Sequence, residues 1–275
     1  MGKDSGIEWT HHTFNPWWGC QRVSPGCEHC YAEALAKRTG RARWGAGVPR
    51  VPASEKMWGE PLRWNAAART AGERHRVFCA SMADVFEDLP ELAPHRARLF
   101  ELVAKTPNLD WLLLTKRPEN AGRLWSQAQY DAFNGADSLG PTWAPNVWIG
   151  TTVEDQRRAE ERIPHLLRIP AAVRFLSCEP LLGPVDLDKV VLTEPRVGRI
   201  DWVICGGESG GGARRMSAEW ARSLRDQCES DGVPFFFKQW GEHGASGFRE
   251  GKGVAGRVLD GQTHDEFPQQ IGGGR

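Results

Sequence analysis

The chain has 275 residues, 40% apolar and 25% charged, enough to bury a substantial core, which excludes a disordered or fibrous protein. Thirty-five Lys and Arg balance 35 Asp and Glu, so no global field drives association with nucleic acid or membrane, and any such binding must come from a local patch. No apolar run is long enough to span a bilayer and the amino-terminal MGKDSGIEWTHH lacks the layout of a signal peptide, so a soluble, cytoplasmic protein with no membrane partner is expected.

In chain order, Ile7–Phe14 is a weak first strand candidate. The cysteine-bearing stretch NPWWGCQRVSPGCEHCYAE, residues 15–33, follows it and leads into a helical start at YAEALAKR. Residues 37–76 contain no convincing strand. Lys37, Arg38, Arg41, Arg43, Arg50, Lys56, Arg63, Arg69, Arg74 and Arg76 face only Glu55, Glu60 and Glu73 there, with Trp44, Trp58 and Trp64 interspersed. Apolar runs of strand length occur at Val77–Met82, Asp110–Thr115, Val147–Thr152, Val173–Cys178, Asp201–Gly206 and Pro234–Lys238. Helical spacing appears at Glu91–Lys105, Glu154–Arg168 and Ser217–Ser230. The remainder, 241–275, is glycine-rich and reads as a tail or lid.

Near-continuous apolar strands joined by helical crossovers imply an α/β protein with a covered parallel sheet. Right-handed crossovers would make residues 1–240 a single-domain partial or complete (β/α) barrel, or an open doubly wound sheet, with 37–76 as a basic, Trp-containing insertion. Polar residues just past each strand would then converge: Ser81 and Asp84, Lys116 and Arg117, Thr152 and Glu154, Cys178 and Glu179, and Gly206 to Ser209.

Seven cysteines, three of them within eleven residues, favour reduced thiols with a metal or redox role over a disulfide framework. Cys20, Cys27 and Cys30 form C-x6-C-x2-C, with Ser24-Pro25-Gly26 as the turn between them. Two metal readings stay open: a [4Fe–4S] cluster held by three thiolates with one iron free, or a zinc ion completed by His29, His11 or His12.

A three-cysteine loop after the first strand of a parallel α/β chain resembles the radical S-adenosylmethionine (SAM) superfamily. IEWTHHTFNPWWGCQRVSPGCEHCYAE and the tail GRVLDGQTHDEFP resemble an uncharacterised, phage-associated radical SAM-like family, and more distantly spore photoproduct lyase. The resemblance implies a barrel of the radical SAM type and an enzyme that cleaves SAM reductively to modify or repair a substrate. It implies that Cys20, Cys27 and Cys30 ligate the [4Fe–4S] cluster, that a flavodoxin or ferredoxin supplies low-potential electrons, and that His29 packs near the adenine. Ser81 and Asp84 stand where the superfamily contacts the SAM amino group. Lys116 and Arg117 would then meet the SAM carboxylate or a substrate phosphate, Thr152, Glu154 and Glu179 would line the cofactor site, and Cys178 and Cys205 would be candidate hydrogen-atom donors.

The basic segment offers the substrate clue. Cations neutralise phosphates and indoles stack on bases, so Arg41, Arg43, Trp44 and Arg50 are expected to contact DNA or RNA. The alternative is a non-catalytic nucleic-acid-binding module whose loop is stabilised by zinc or an iron–sulfur cluster.

Overall fold

A computed structural model describes residues 6–132, 143–190 and 198–269. The chain divides into two compact units, one made of Met1–Val23, Ala32–Ile149 and Ile169–Ala171, the other of Ser24–Tyr31, Gly150–Arg168 and Ala172–Arg275. Strands β1 (His12–Thr13), β2 (Trp17–Trp18), β3 (Val51–Pro52), β4 (His75–Cys79) and β5 (Leu109–Thr115) belong to the first unit, with helices α1 (Tyr31–Thr39), α2 (Glu55–Ala71), α3 (Ala93–Lys105) and α4 (Pro118–Ala132). Strand β6 (Val147–Thr152) carries the chain into the second unit. There follow α5 (Gln156–Leu166), β7 (Val173–Cys178), β8 (Trp202–Gly206), α6 (Ala218–Asp231), β9 (Phe235–Gln239) and α7 (Lys252–Ala255).

The class is α/β, as expected. Seven strands form a parallel sheet in the order β1-β4-β5-β6-β7-β8-β9, with β1 and β9 at its edges, so the strand order is that of a partial, unclosed barrel rather than a complete one. Parallel strands buried on both faces must be apolar throughout, which is why these segments do not alternate. Val77 of β4 registers with His12 and Trp111, and Cys178 of β7 with Cys205 of β8. Crossover helices stop where the sequence supplies a left-handed residue: α2 ends at Gly72 and α6 at Gly232, both at positive φ. Asp155 caps α5 by accepting the Arg158 N–H.

Three features differ from the sequence reading. The first strand is only His12–Thr13, and its neighbours Trp17–Trp18 pair instead with Val51–Pro52 as a small antiparallel ribbon. Residues 55–71, in the segment read only as lacking a convincing strand, form helix α2, with Pro61 inside it. Its indoles face inward: Trp58 lies edge-on to Phe14 at 5.1 Å and Trp64 stacks on His12 at 4.4 Å. Trp111, Trp148 and Trp202, on the sheet strands, are core residues, 0–4% exposed. Each such indole removes roughly 200 Å² from water, about 5 kcal/mol before entropy costs.

In the second unit the tail closes the outer edge of β9. Phe237 N–H donates to the His264 carbonyl, Glu266 N–H to the Phe235 carbonyl, and Phe236 bridges Asp265 in antiparallel sense. The Trp202 indole N–H is donated to the Glu266 carbonyl at 2.8 Å, and Phe267 packs on the same ring. Among the described residues, no helix is long and apolar enough to cross a membrane.

Candidate functional site

Past β4 and β5, the first unit holds a buried polar network. Asp84 accepts the Thr115 hydroxyl at 2.7 Å, the Phe86 and Lys116 backbone N–H groups at 3.0 Å, and Arg117 Nη1 at 2.9 Å. Every lone-pair direction of its carboxylate is in use, so Asp84 organises the loop and has little capacity left for a ligand. Arg117 also donates to the Gln21 carbonyl at 2.9 Å. Ser81 is tied to Asn15, whose side-chain amide donates to it at 3.1 Å. Lys116 is half-buried with no side-chain partner among the described residues.

The second unit collects polar groups at the carboxyl ends of β6, β7, β8 and β9, where ligands bind in open α/β sheets. Glu154, fully buried, accepts from the Ser24 hydroxyl and from Arg162 at 2.7 Å. Gly26 is required here, because a Cβ would lie 2.5 Å from the Glu154 carboxylate. Glu179 pairs with Lys238. The Thr152 hydroxyl is buried with no partner among the described residues. Glu208 receives Arg214 through its backbone N–H and guanidinium at 2.6–2.9 Å, and His29 Nδ1 lies 3.1 Å away. Burial raises the Glu208 carboxyl, but the hydrogen bonds from Arg214 and His29 outweigh it and hold the group below the usual range. Arg214 further bonds Glu28 and the Pro25 carbonyl, so Glu154 and Arg214 together fix the loop 24–31. Arg214 escaped the sequence reading, although an Arg six residues after Gly-Gly-Glu was its available signal.

The cysteine loop does not become a metal centre. Among the described residues, which include all seven cysteines, no group of three or more His, Cys, Asp or Glu side chains is arranged to hold a metal ion, and all seven thiols are free. Spacing bounds how far thiols can reach and does not aim them. The Cys20 thiol donates to the Gln21 carbonyl and has Arg117 beside it at 3.8 Å, Cys27 is buried with its sulfur 3.9 Å from the Ser24 hydroxyl, and Cys30 immediately precedes α1. The expected ligand set Cys20, Cys27 and Cys30, for a [4Fe–4S] cluster or for zinc, is therefore corrected, and with it the radical SAM enzyme, its SAM cofactor and the metal-stabilised module. Cys178 and Cys205 lie side by side in strands, 0% exposed, with burial pushing both thiols up.

The residues expected to contact nucleic acid differ in their exposure. Arg41 and Arg43 are exposed and Trp44 is half-buried. The Arg41 guanidinium lies over the Trp18 ring at 4.0 Å, and Arg43 follows where the chain returns to the ribbon, with Gly45 N–H bonded to the Cys20 carbonyl. Arg50 is different: it is buried and paired with Glu87.

Residues 4–268 match a family described as "Protein of unknown function (DUF5131)". No curated protein matches the chain. The resemblances to a radical SAM-like family and to spore photoproduct lyase are thus not supported: the matching family carries no assigned chemistry, and the metal-ligating arrangement is missing among the described residues.

Proposed function

The chain belongs to the DUF5131 family of proteins of unknown function, a membership that assigns no activity, and we propose from the residues themselves that it binds DNA or RNA through the phosphate backbone, using the exposed cations of residues 37–76. The observation carrying this reading is uncompensated charge. Arg38, Arg41, Arg43, Lys56 and Arg69 are exposed and have no carboxylate partner among the described residues. Two of the three acids of the segment are engaged by cations, Glu55 by Arg98 and Glu60 by Arg63, while Glu73 is exposed with the His75 ring 3.8 Å away. Five cations without a carboxylate partner against the one exposed carboxylate of Glu73 give the segment a local positive excess on a chain of zero net charge.

Arg41, Arg43 and Lys56 gather around the β2–β3 ribbon, since Arg41 Nη2 contacts the sulfur of Met57, the neighbour of Lys56. Stacking on Trp18 holds the Arg41 guanidinium in place, so less side-chain entropy is lost on binding. The buried Trp58 and Trp64 do not offer base-stacking faces, which favours backbone over base recognition.

Fluorescence anisotropy with labelled single-stranded DNA and RNA tests this. Three to five phosphate contacts give a slope of log K against log salt of about −2 to −3.5. Arg41→Ala with Arg43→Ala should reduce its magnitude by about 1.4. Absence of binding at low salt, or an unchanged slope in the double variant, overturns the proposal.

A further inference from the structure

Trp44 sits among the exposed cations of the first unit, between Arg43 and the small residues Gly45, Ala46 and Gly47. Its loop is clamped from both sides. Gly45 N–H donates to the Cys20 carbonyl at 3.0 Å, and the Gly45 carbonyl accepts from Arg50 Nη1 at 3.2 Å, the same guanidinium that is paired with Glu87. Gly19 lets the loop lie close, because a Cβ there would come within 3.2 Å of the Arg43 carbonyl oxygen. Ala42 is buried between exposed Arg41 and Arg43, so both cations stand on the outer side of this stretch.

The neighbouring indoles are all covered. Trp58 and Trp64 are 4% and 6% exposed, the Arg41 guanidinium lies over Trp18, and Trp143, although half-buried, stacks on Trp125 at 4.7 Å. Trp44 is half-buried and touches no other ring, and its indole N–H makes no bond among the described residues without being shut off from solvent. Tryptophan in a fold ordinarily covers its ring and pairs its N–H. A partly bare indole on a clamped loop, beside two exposed guanidinium groups, is a preorganised platform for a flat ligand that carries negative charge.

Resting on the phosphate-binding reading above, we infer that the site takes single-stranded nucleic acid, with one unpaired base stacked on Trp44 while Arg41 and Arg43 neutralise the flanking phosphates. The cations supply affinity for any strand, and the indole supplies the preference for an unpaired one. In a duplex each base is already stacked and paired, and an indole on a fixed loop gains it only by flipping the base out. Stacking tolerates any base because every base has a π face, so the site selects strandedness and not sequence.

Fluorescence anisotropy on the full-length protein tests this with labelled probes of equal length: a thymidine oligomer, the same phosphate chain carrying abasic sites, and a duplex, with a uridine oligomer as the RNA counterpart. The wild type should bind the thymidine or the uridine oligomer at least about fivefold more tightly than the abasic strand. Trp44→Ala should erase that difference while leaving the abasic strand, the duplex and the salt slope unchanged, since the indole carries no charge. Trp44→Phe, which keeps a ring, should retain part of it. Should Trp44→Ala fail to fold, a strand containing 5-iodouracil is irradiated with the wild type instead, and the adduct is expected on Trp44. Equal binding of base-bearing and abasic strands by the wild type, equal losses on single strand and duplex in Trp44→Ala, or no adduct on Trp44 overturns the stacking and leaves the phosphate contacts standing. No binding of any probe at low salt overturns both.

Discussion

Arg50 grips Glu87 through two parallel hydrogen bonds, Nε to Oε2 and Nη2 to Oε1, each 2.7 Å, with both side chains buried. Arg50 Nη1 adds the Val48 carbonyl at 2.6 Å. This guanidinium therefore holds the segment after Trp44 in place and is withheld from any polyanion. Removing Arg50 leaves the buried Glu87 carboxylate with only Arg117, 3.6 Å away, so Arg50→Ala is expected to cost about 3 kcal/mol in urea unfolding. Pairing Arg50→Met with Glu87→Leu should recover much of that loss. A surface-like cost below about 0.5 kcal/mol for the single variant would show the pair to be incidental.

His11 carries the clearest pH dependence. Its ring is lowered from 6.5 to about 4, first by burial, then by the positive charges of Arg76 and His75, with Glu73 opposing. Its Nδ1 already accepts the Arg76 backbone N–H at 2.8 Å, and the ring stacks on His75 at 5.0 Å. The folded state thus takes up this proton later than the unfolded chain. Stability is fully retained above pH 6.5 and falls between 6.5 and about 4. The ring is about half exposed, so solvent screening discounts the contribution to about 1 kcal/mol. His11→Asn should flatten the stability profile over that window, and superimposable profiles for variant and parent would refute the assignment.

Cys20 is pushed up to about 12, chiefly by burial and by the Asp84 carboxylate, with Arg117 opposing. Only the thiolate alkylates, so at pH 8 iodoacetamide should modify Cys20 roughly 10³-fold more slowly than a free thiol. Peptide mapping after timed alkylation reads the rate directly. Rapid labelling of Cys20 in the folded protein at pH 8 would mean that its thiol is ionised.

Gly207 tests how tightly the second unit is packed beside Glu208. A Cβ there would lie 1.9 Å from the Trp240 carbonyl oxygen, a backbone atom that no rotamer change can move away. Gly207→Ala should therefore destabilise the protein by about 1–3 kcal/mol, visible as a melting temperature lower by about 2–12 °C. An unchanged melting temperature would show that this loop yields at no cost.

Strands were legible because burial on two faces leaves a signature that local sequence carries. Val147–Thr152 and Val173–Cys178 agree end to end with β6 and β7, and Glu91–Lys105 differs from α3 by two residues. Helix α2 was hidden because Gly59 and Pro61 interrupt its interior and its apolar face is made of Trp58 and Trp64, which read equally well as a stacking surface. The site was less legible for a different reason. Cys20, Cys27 and Cys30 are close in sequence, but the direction of each thiol depends on what it meets, here the Gln21 carbonyl and the Ser24 hydroxyl. Arg50 and Arg43 look alike on paper, and only the distant Glu87 separates a buried anchor from an exposed cation.

The three hydrogen-bonding tail residues His264, Asp265 and Glu266 have a consequence for self-association. By occupying the outer edge of β9 they take the place that a strand from another copy of the chain would otherwise fill. A proteolytic nick between Gly256 and Leu259 would loosen this seal and leave Phe235–Gln239 as an adhesive rim, so clipped material should polymerise while intact material stays dispersed.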